Sequence, residues 1–150
     1  MAIPIKLNET ITFGKTGRIR EMDSYGFDLS ENGLSWTKSE VAGFSVMLGA
    51  VPPDSVLSLR VAAQPFIKAD QILRQHFFVF INGTYIGFRI LETYEDLEFV
   101  LPRNVLSTRG MRLEFVIPTA SSPKSVGVSQ DVRKLGIAIS GVSFTLRDRQ

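Results

Sequence analysis

The sequence predicts an all-β protein, a two-sheet antiparallel β-sandwich of jelly-roll type. Three observations carry that expectation. Apolar residues recur at every second position over most of the chain. Turn-forming residues interrupt these runs at short intervals. No stretch sustains the 3.6-residue period of an amphipathic helix.

Each run reads as a half-buried strand. Ile3, Ile5, Leu7, Ile11 and Phe13 fall on odd positions, with polar residues mostly between them. Phe44, Val46 and Leu48 alternate, as do Leu57, Leu59 and Val61 around Ser58 and Arg60. Phe77 to Ile81 is apolar on both parities, the pattern of a central strand covered on both faces. Leu97, Phe99 and Leu101 alternate, then Met111, Leu113, Phe115 and Ile117, then Leu135, Ile137 and Ile139. After Ile139 the parity flips to Val142, Phe144 and Leu146. One inserted residue near Ser140-Gly141, a β-bulge, does this; a turn between two short strands is the alternative.

Asn82-Gly83 sits between two strand-like segments and is a strong hairpin signal, because both turn residues need positive φ. Pro52-Pro53-Asp54-Ser55, Pro102-Arg-Asn, Arg109-Gly110 and the Pro118 to Pro123 stretch mark the other turns. Single helical turns are expected over Asp70–Gln75 and Leu101–Ser107. The long connections favour a jelly roll over a meander.

The chain has 150 residues, the length of one domain, and residues 1–150 read as a single sandwich. Hydrophobic residues make up 44% and charged residues 21%, which excludes a disordered chain. With no cysteine, disulfides and thiolate metal sites are out. A net charge of +2, with basic residues spread along the chain, argues against nucleic acid as a partner. The Arg147-Asp148-Arg149 tail carries its own acid and reads as a solvated end. The start, Met1-Ala-Ile-Pro-Ile-Lys-Leu-Asn, lacks the pattern of a signal peptide, and no apolar run reaches the ~18 residues of a membrane helix. A cytoplasmic protein with no membrane partner is the expectation.

No convincing catalytic site, metal site or cofactor site stands out, and a non-enzyme is expected. His76, the lone histidine, starts an apolar strand with no serine or cysteine assigned to it. Glu92, Glu95, Asp96 and Glu98 have the chemistry of a glycosidase pair or a calcium rim site, but solvated loop acids are the simpler reading. A hydrolase or lyase built on His76, Tyr94 or these acids is the weakest alternative. Gly14-Lys-Thr-Gly17 lacks the spacing and the helix of a phosphate loop. Asn8-Glu-Thr10 and Asn82-Gly-Thr84 match the glycosylation acceptor pattern by chance, given no signal peptide.

Trp36 lies in the polar, loop-like segment Glu31–Glu40. An exposed tryptophan there can stack on the apolar face of a sugar ring; a buried one plugs the end of the sandwich. Asp131 and Arg133 flank Val132 and share one side of an extended segment. They form either a structural ion pair or a contact for sugar hydroxyls.

Three stretches resemble small β-sandwich domains found alone or appended to bacterial glycosyltransferases and other polysaccharide-biosynthesis proteins. The first is Gly33-Leu-Ser-Trp-Thr-Lys-Ser-Glu40 followed by Phe44-Ser45, and the second is Phe78 to Gly87. The third, the most specific, is Ser122-Pro123 with Gly127 to Ile139. Phe44 stands where that family has tryptophan, and Trp36 is displaced from its aromatic position. The resemblance implies a role in bacterial surface-polysaccharide metabolism, with catalysis left to attached domains. A non-catalytic carbohydrate-recognition module is therefore expected, with a glycan or polysaccharide as ligand and Trp36, Glu40, Tyr85, Arg89, Asp131 and Arg133 as candidate contacts. The alternative is an interaction module that docks a glycosyltransferase or self-associates, because the Phe77–Phe80 strand carries more apolar surface than one core hides.

Overall fold

Strands form where the alternation runs. The computed structural model describes residues 3–49, 51–52, 54–107 and 110–147. Its strands are β1 (Ile3–Ile5), β2 (Ile11–Thr12), β3 (Ser24–Tyr25), β4 (Ser35–Trp36), β5 (Val41–Leu48) and β6 (Val56–Pro65). They continue with β7 (Gln75–Ile81), β8 (Thr84–Leu91), β9 (Glu95–Val100), β10 (Gly110–Val116) and β11 (Ile137–Arg147). Met1, Ala2, Pro53, Arg109, Asp148 and Arg149, all used in the sequence reading, lie outside the described residues.

The strands make two sheets. One has the order β1-β5-β10-β7-β8, with β3 also pairing with β5. The other has the order β2-β11-β6-β9, with β4 also pairing with β11. Among the described residues all strand pairings are antiparallel except β1 with β5. Neighbours in space are mostly distant in sequence, so the chain crosses between sheets, as a jelly roll requires.

The inward faces close over one core. Phe44, Leu57, Leu59, Phe77, Phe115 and Phe144 are all buried, matching the predicted parity of each strand. Phe115 sits at the centre, with ring centroids 5.2 Å from Phe77, 6.2 Å from Phe44 and 6.4 Å from Phe27. These near-perpendicular contacts suit the ring quadrupoles.

The parity flip in the last strand is a bulge: the β11–β6 register shifts between Ile139 and Gly141. Asn82 and Gly83 adopt φ of 49° and 79°, the two positive values of a tight hairpin between β7 and β8. A 3-10 helix over Arg103–Ser107 occupies the second expected helical turn.

Two expectations change. Over Asp70–Gln75 there is no helix: Lys68 and Ile72 bridge, their amides donating to each other's carbonyls at 3.0 and 2.8 Å. Asp70, at φ 69°, turns the chain between them, a conformation that aspartate tolerates. And where Phe77–Ile81 is expected to be covered on both faces, the structure covers one. Phe77, Val79 and Ile81 are buried, while Phe78 and Phe80 are half-exposed on the outer surface.

Among the described residues no helix is long and apolar enough to cross a membrane.

Candidate functional site

The registers gather the long connections at one end. β5 begins where β10 ends, with Val41 opposite Val116, and β11 begins where β6 ends, with Ile137 opposite Pro65. Segments 26–40, 66–74 and 117–136 therefore share that end. The Asn82-Gly83 turn lies at the opposite one.

Trp36 stands at this end on a short strand, where the sequence reading has a loop. β4 pairs with β11 through Trp36 opposite Ala138 and Ser35 opposite Ile139. Its inward residues are hydroxylic rather than apolar. Buried Ser35 accepts the Gly14 amide at 2.9 Å, and buried Thr37 accepts the Gly136 and Ile137 amides at 3.2 and 3.1 Å. Satisfying these donors holds Ser35 and Thr37 inward, so alternation turns Trp36 outward. Its ring is half-buried, edge-on to Phe66 at 6.3 Å between centroids. It is neither a free platform nor a sealed plug.

A charged cluster lies beside it. The Asp28 amide donates to the Trp36 carbonyl at 2.8 Å. Arg133 donates through Nη1 to Asp28 Oδ2 at 2.6 Å, and through Nε to both oxygens of Asp131 at 3.0 Å. The expected Asp131–Arg133 pair thus exists and gains a third member. Ser30 holds the Asp28 carboxyl down to about 2, through its hydroxyl and then its amide, with Arg133 adding to the effect. Arg133 holds Asp131 below its ordinary value, and both carboxylates raise Arg133.

The sign of the acid response follows. Asp28 titrates near 3.8 when unfolded and about 2 when folded, so its contribution is complete above the unfolded value and vanishes as pH falls through the folded one. We expect about 1 kcal/mol of stability, allowing for solvent screening, to be lost between about pH 4 and pH 2. Urea unfolding across that range checks it: Asp28→Asn flattens the acid limb, and an unchanged limb rules the assignment out.

At the same end a cleft of ≈ 470 Å³ lies between segments 71–74 and 118–121. Its walls are tied at the base by Gln75, which is fully buried. Gln75 Nε2 donates to the Phe66 carbonyl at 2.8 Å, and its Oε1 accepts the Thr119 hydroxyl at 2.6 Å. Thr119 Oγ1 accepts the His76 amide at 2.9 Å, and Gln71 Nε2 reaches the Val126 carbonyl at 3.2 Å. Such cross-links fix the cleft before any ligand arrives. Sequence reasoning missed these residues. The one available signal was Gln75, an amide at the head of a phenylalanine-rich strand.

The other predicted residues scatter. Glu40 is at the same end, where Lys134 Nζ approaches its carboxylate at 3.3 Å. Tyr85 is on β8 near the opposite end, beside Phe80. Arg89 lies along the open side of the sandwich. Its guanidinium sits 4.5 Å from the Phe99 ring centre and donates to the carbonyls of Phe88 and Glu98, joining the edges of the two sheets. That geometry gives Arg89 a structural task in addition to any ligand contact. His76 packs edge-on against Phe88 at 5.7 Å, and Glu98 pairs with Arg60 at 3.0 Å.

No family model matches the chain, and no curated protein matches its sequence. Solved structures do match its fold. The Cry4Aa toxin of Bacillus thuringiensis aligns with TM-score 0.58 and 14% identity over 99% of this chain; the chain spans 25% of the toxin. The carbohydrate-binding module CsCBM6-3 of Clostridium stercorarium, solved with cellobiose, aligns with TM-score 0.52 and 10% identity, covering 99% of this chain and 98% of the module. A family 35 carbohydrate-binding module of Clostridium thermocellum aligns with TM-score 0.50 and 8% identity, covering 91% and 97%. At these identities the likeness establishes a shared β-sandwich fold.

Proposed function

We propose that the protein is a non-catalytic carbohydrate-recognition module serving bacterial surface-polysaccharide metabolism, with its ligand at the loop-bearing end. The observation that carries this is the placement of Trp36. A partly exposed aromatic ring shares this end of the sandwich with a charged cluster and a cleft. Sugars present apolar CH faces and polar edges, and such a site offers partners for both. Asp131, Arg133 and Glu40 share this end and are proposed as flanking contacts. Tyr85 and Arg89 are far from it and would serve only a ligand running along the side. The sandwich fold shared with carbohydrate-binding modules supports the reading, as does the resemblance to glycosyltransferase-associated domains. Titration calorimetry against a panel of bacterial polysaccharides tests it. Dissociation constants in the micromolar to millimolar range are expected, and no binding to any polymer at millimolar concentration would refute it.

A second reading has its own observation. The outer surface of the β5-β10-β7-β8 sheet carries apolar cross-strand rows: Val41, Val116, Phe78 and Phe88 in one, Phe80 and Tyr85 in the next, then Ile90 beside His76. Tyr85, Ile90 and Val41 are 52%, 44% and 36% exposed. The other sheet turns Arg60, Gln64, Asp96 and Glu98 outward instead. This asymmetry suits a protein partner, either a second copy or a glycosyltransferase. Light scattering checks it. Self-association, or capture of a purified glycosyltransferase, that Phe88→Glu abolishes is expected, and a strict monomer that captures none counts against it.

A further inference from the structure

We propose that the cleft at the loop-bearing end selects acidic saccharides, its Arg74 guanidinium holding the carboxylate of a uronic acid. The inference rests on the glycan-recognition reading and names the class of sugar.

Arg74 lines the cleft on an exposed stretch between buried Ile72 and buried Gln75. Among the described residues no carboxylate pairs with it, which sets it apart. Arg18, Arg60, Arg103 and Arg133 are all in ion pairs. Arg20 and Arg89 donate to backbone carbonyls, and Arg112 lies over the Tyr25 ring. Among the described residues Arg147 likewise has no side-chain ion pair or hydrogen bond, and it does not line this cleft. Seven of the described arginines are engaged elsewhere in the fold, and Arg74 is left in a concavity.

The surroundings fit an anion on an otherwise uncharged polyol. Among the described residues no acidic side chain lines the cleft. Leu73, 60% exposed, gives an apolar surface next to the charge. Across from it, Pro118 and Ala120 offer apolar contact, and Thr119 and Ser121 carry hydroxyls. The volume, ≈ 470 Å³, accommodates a small-ligand-sized group. Guanidinium matches a carboxylate in planar, two-pronged geometry, which lysine cannot reproduce. Because Gln75 fixes both walls, the fork's anchor point does not have to be ordered by the ligand.

The test uses the whole chain and polymers available in paired forms: polygalacturonate, alginate and hyaluronan, each beside its carboxyl-reduced neutral counterpart, measured by calorimetry. At least one acidic polymer is expected to bind about tenfold tighter than its reduced form. The preference should weaken as salt rises. It should vanish in Arg74→Gln, with the melting temperature unchanged because the side chain is exposed, and survive only in part in Arg74→Lys. An acid preference that persists in Arg74→Gln overturns the proposal. Equal affinity for acidic and reduced forms overturns it too, while leaving glycan recognition standing. Absence of binding to every polymer, acidic or neutral, removes both.

Discussion

Phe115→Ala is expected to cost about 3–5 kcal/mol, the usual range for emptying a fully buried phenylalanine site. Phe115 is on β10, between β5 and β7, opposite Ala42 on one side and Val79 on the other. Its ring touches those of Phe27, Phe44 and Phe77, which belong to three different segments, so no single movement can refill the space. For a domain of this length the midpoint of thermal unfolding should fall by roughly 10 °C. Phe78→Ala is the matched control. It removes the same side chain from the neighbouring strand's outer face, where the ring is half-exposed, and should cost less than half as much. Calorimetric melting of both variants decides the matter. Equal losses would mean that the inward and outward faces of this sheet are wrongly assigned.

If the proposed recognition site holds, Trp36→Ala should lower affinity for a polysaccharide by ten- to a hundredfold, roughly the effect of removing an aromatic anchor from a binding site. Stability should change far less. Among the described residues the ring's aromatic contact is with Phe66, and the backbone bonds of β4 do not depend on the side chain. A cost of about 1–2 kcal/mol is expected from the buried half of the ring. Trp36→Phe should restore part of the affinity. Parallel calorimetry of binding and of unfolding separates the outcomes. Unchanged affinity with a large loss of stability would make Trp36 a wedge between segments and remove it from the site.

How far the residues announced this structure depends on what lies inward. β5, β6 and β10 were legible because their inward residues are Phe, Leu, Val and Met, which alternation exposes at once. The Asn82-Gly83 turn and the Ser140-Gly141 bulge were legible for local reasons: dihedral demand at one, a parity shift at the other. β4 was not, because Ser35 and Thr37 point inward as polar groups whose partners, Gly14, Gly136 and Ile137, are remote in sequence. The openness of Phe78 and Phe80 was hidden for the opposite reason, since apolar residues on both parities look like double burial. β3 carries a similar lesson. Tyr25 lies across Gly43 of β5, where an added Cβ would come within 2.6 Å of its hydroxyl, and a two-residue strand of Ser and Tyr gives no period to detect. Of the candidate site, the Asp131–Arg133 pair follows from local spacing. Asp28, which joins it from 105 positions away, does not. The cleft is wholly a product of long-range bonds through Gln75 and Thr119, and only the assembled fold reveals it.

The pairing of β2 with β11, through Ile11 opposite Val142, brings early and late segments together. During synthesis on the ribosome, β6 emerges long before its long partner β11, which supplies ten of its register positions from Ile137 to Arg147. Until then Leu57, Leu59 and Val61 have no complete layer to close against, and the nascent chain carries a greasy, half-built sheet. Mutations that slow the arrival or docking of β11 should therefore show first as poor yield and inclusion-body formation, well before they register as altered recognition.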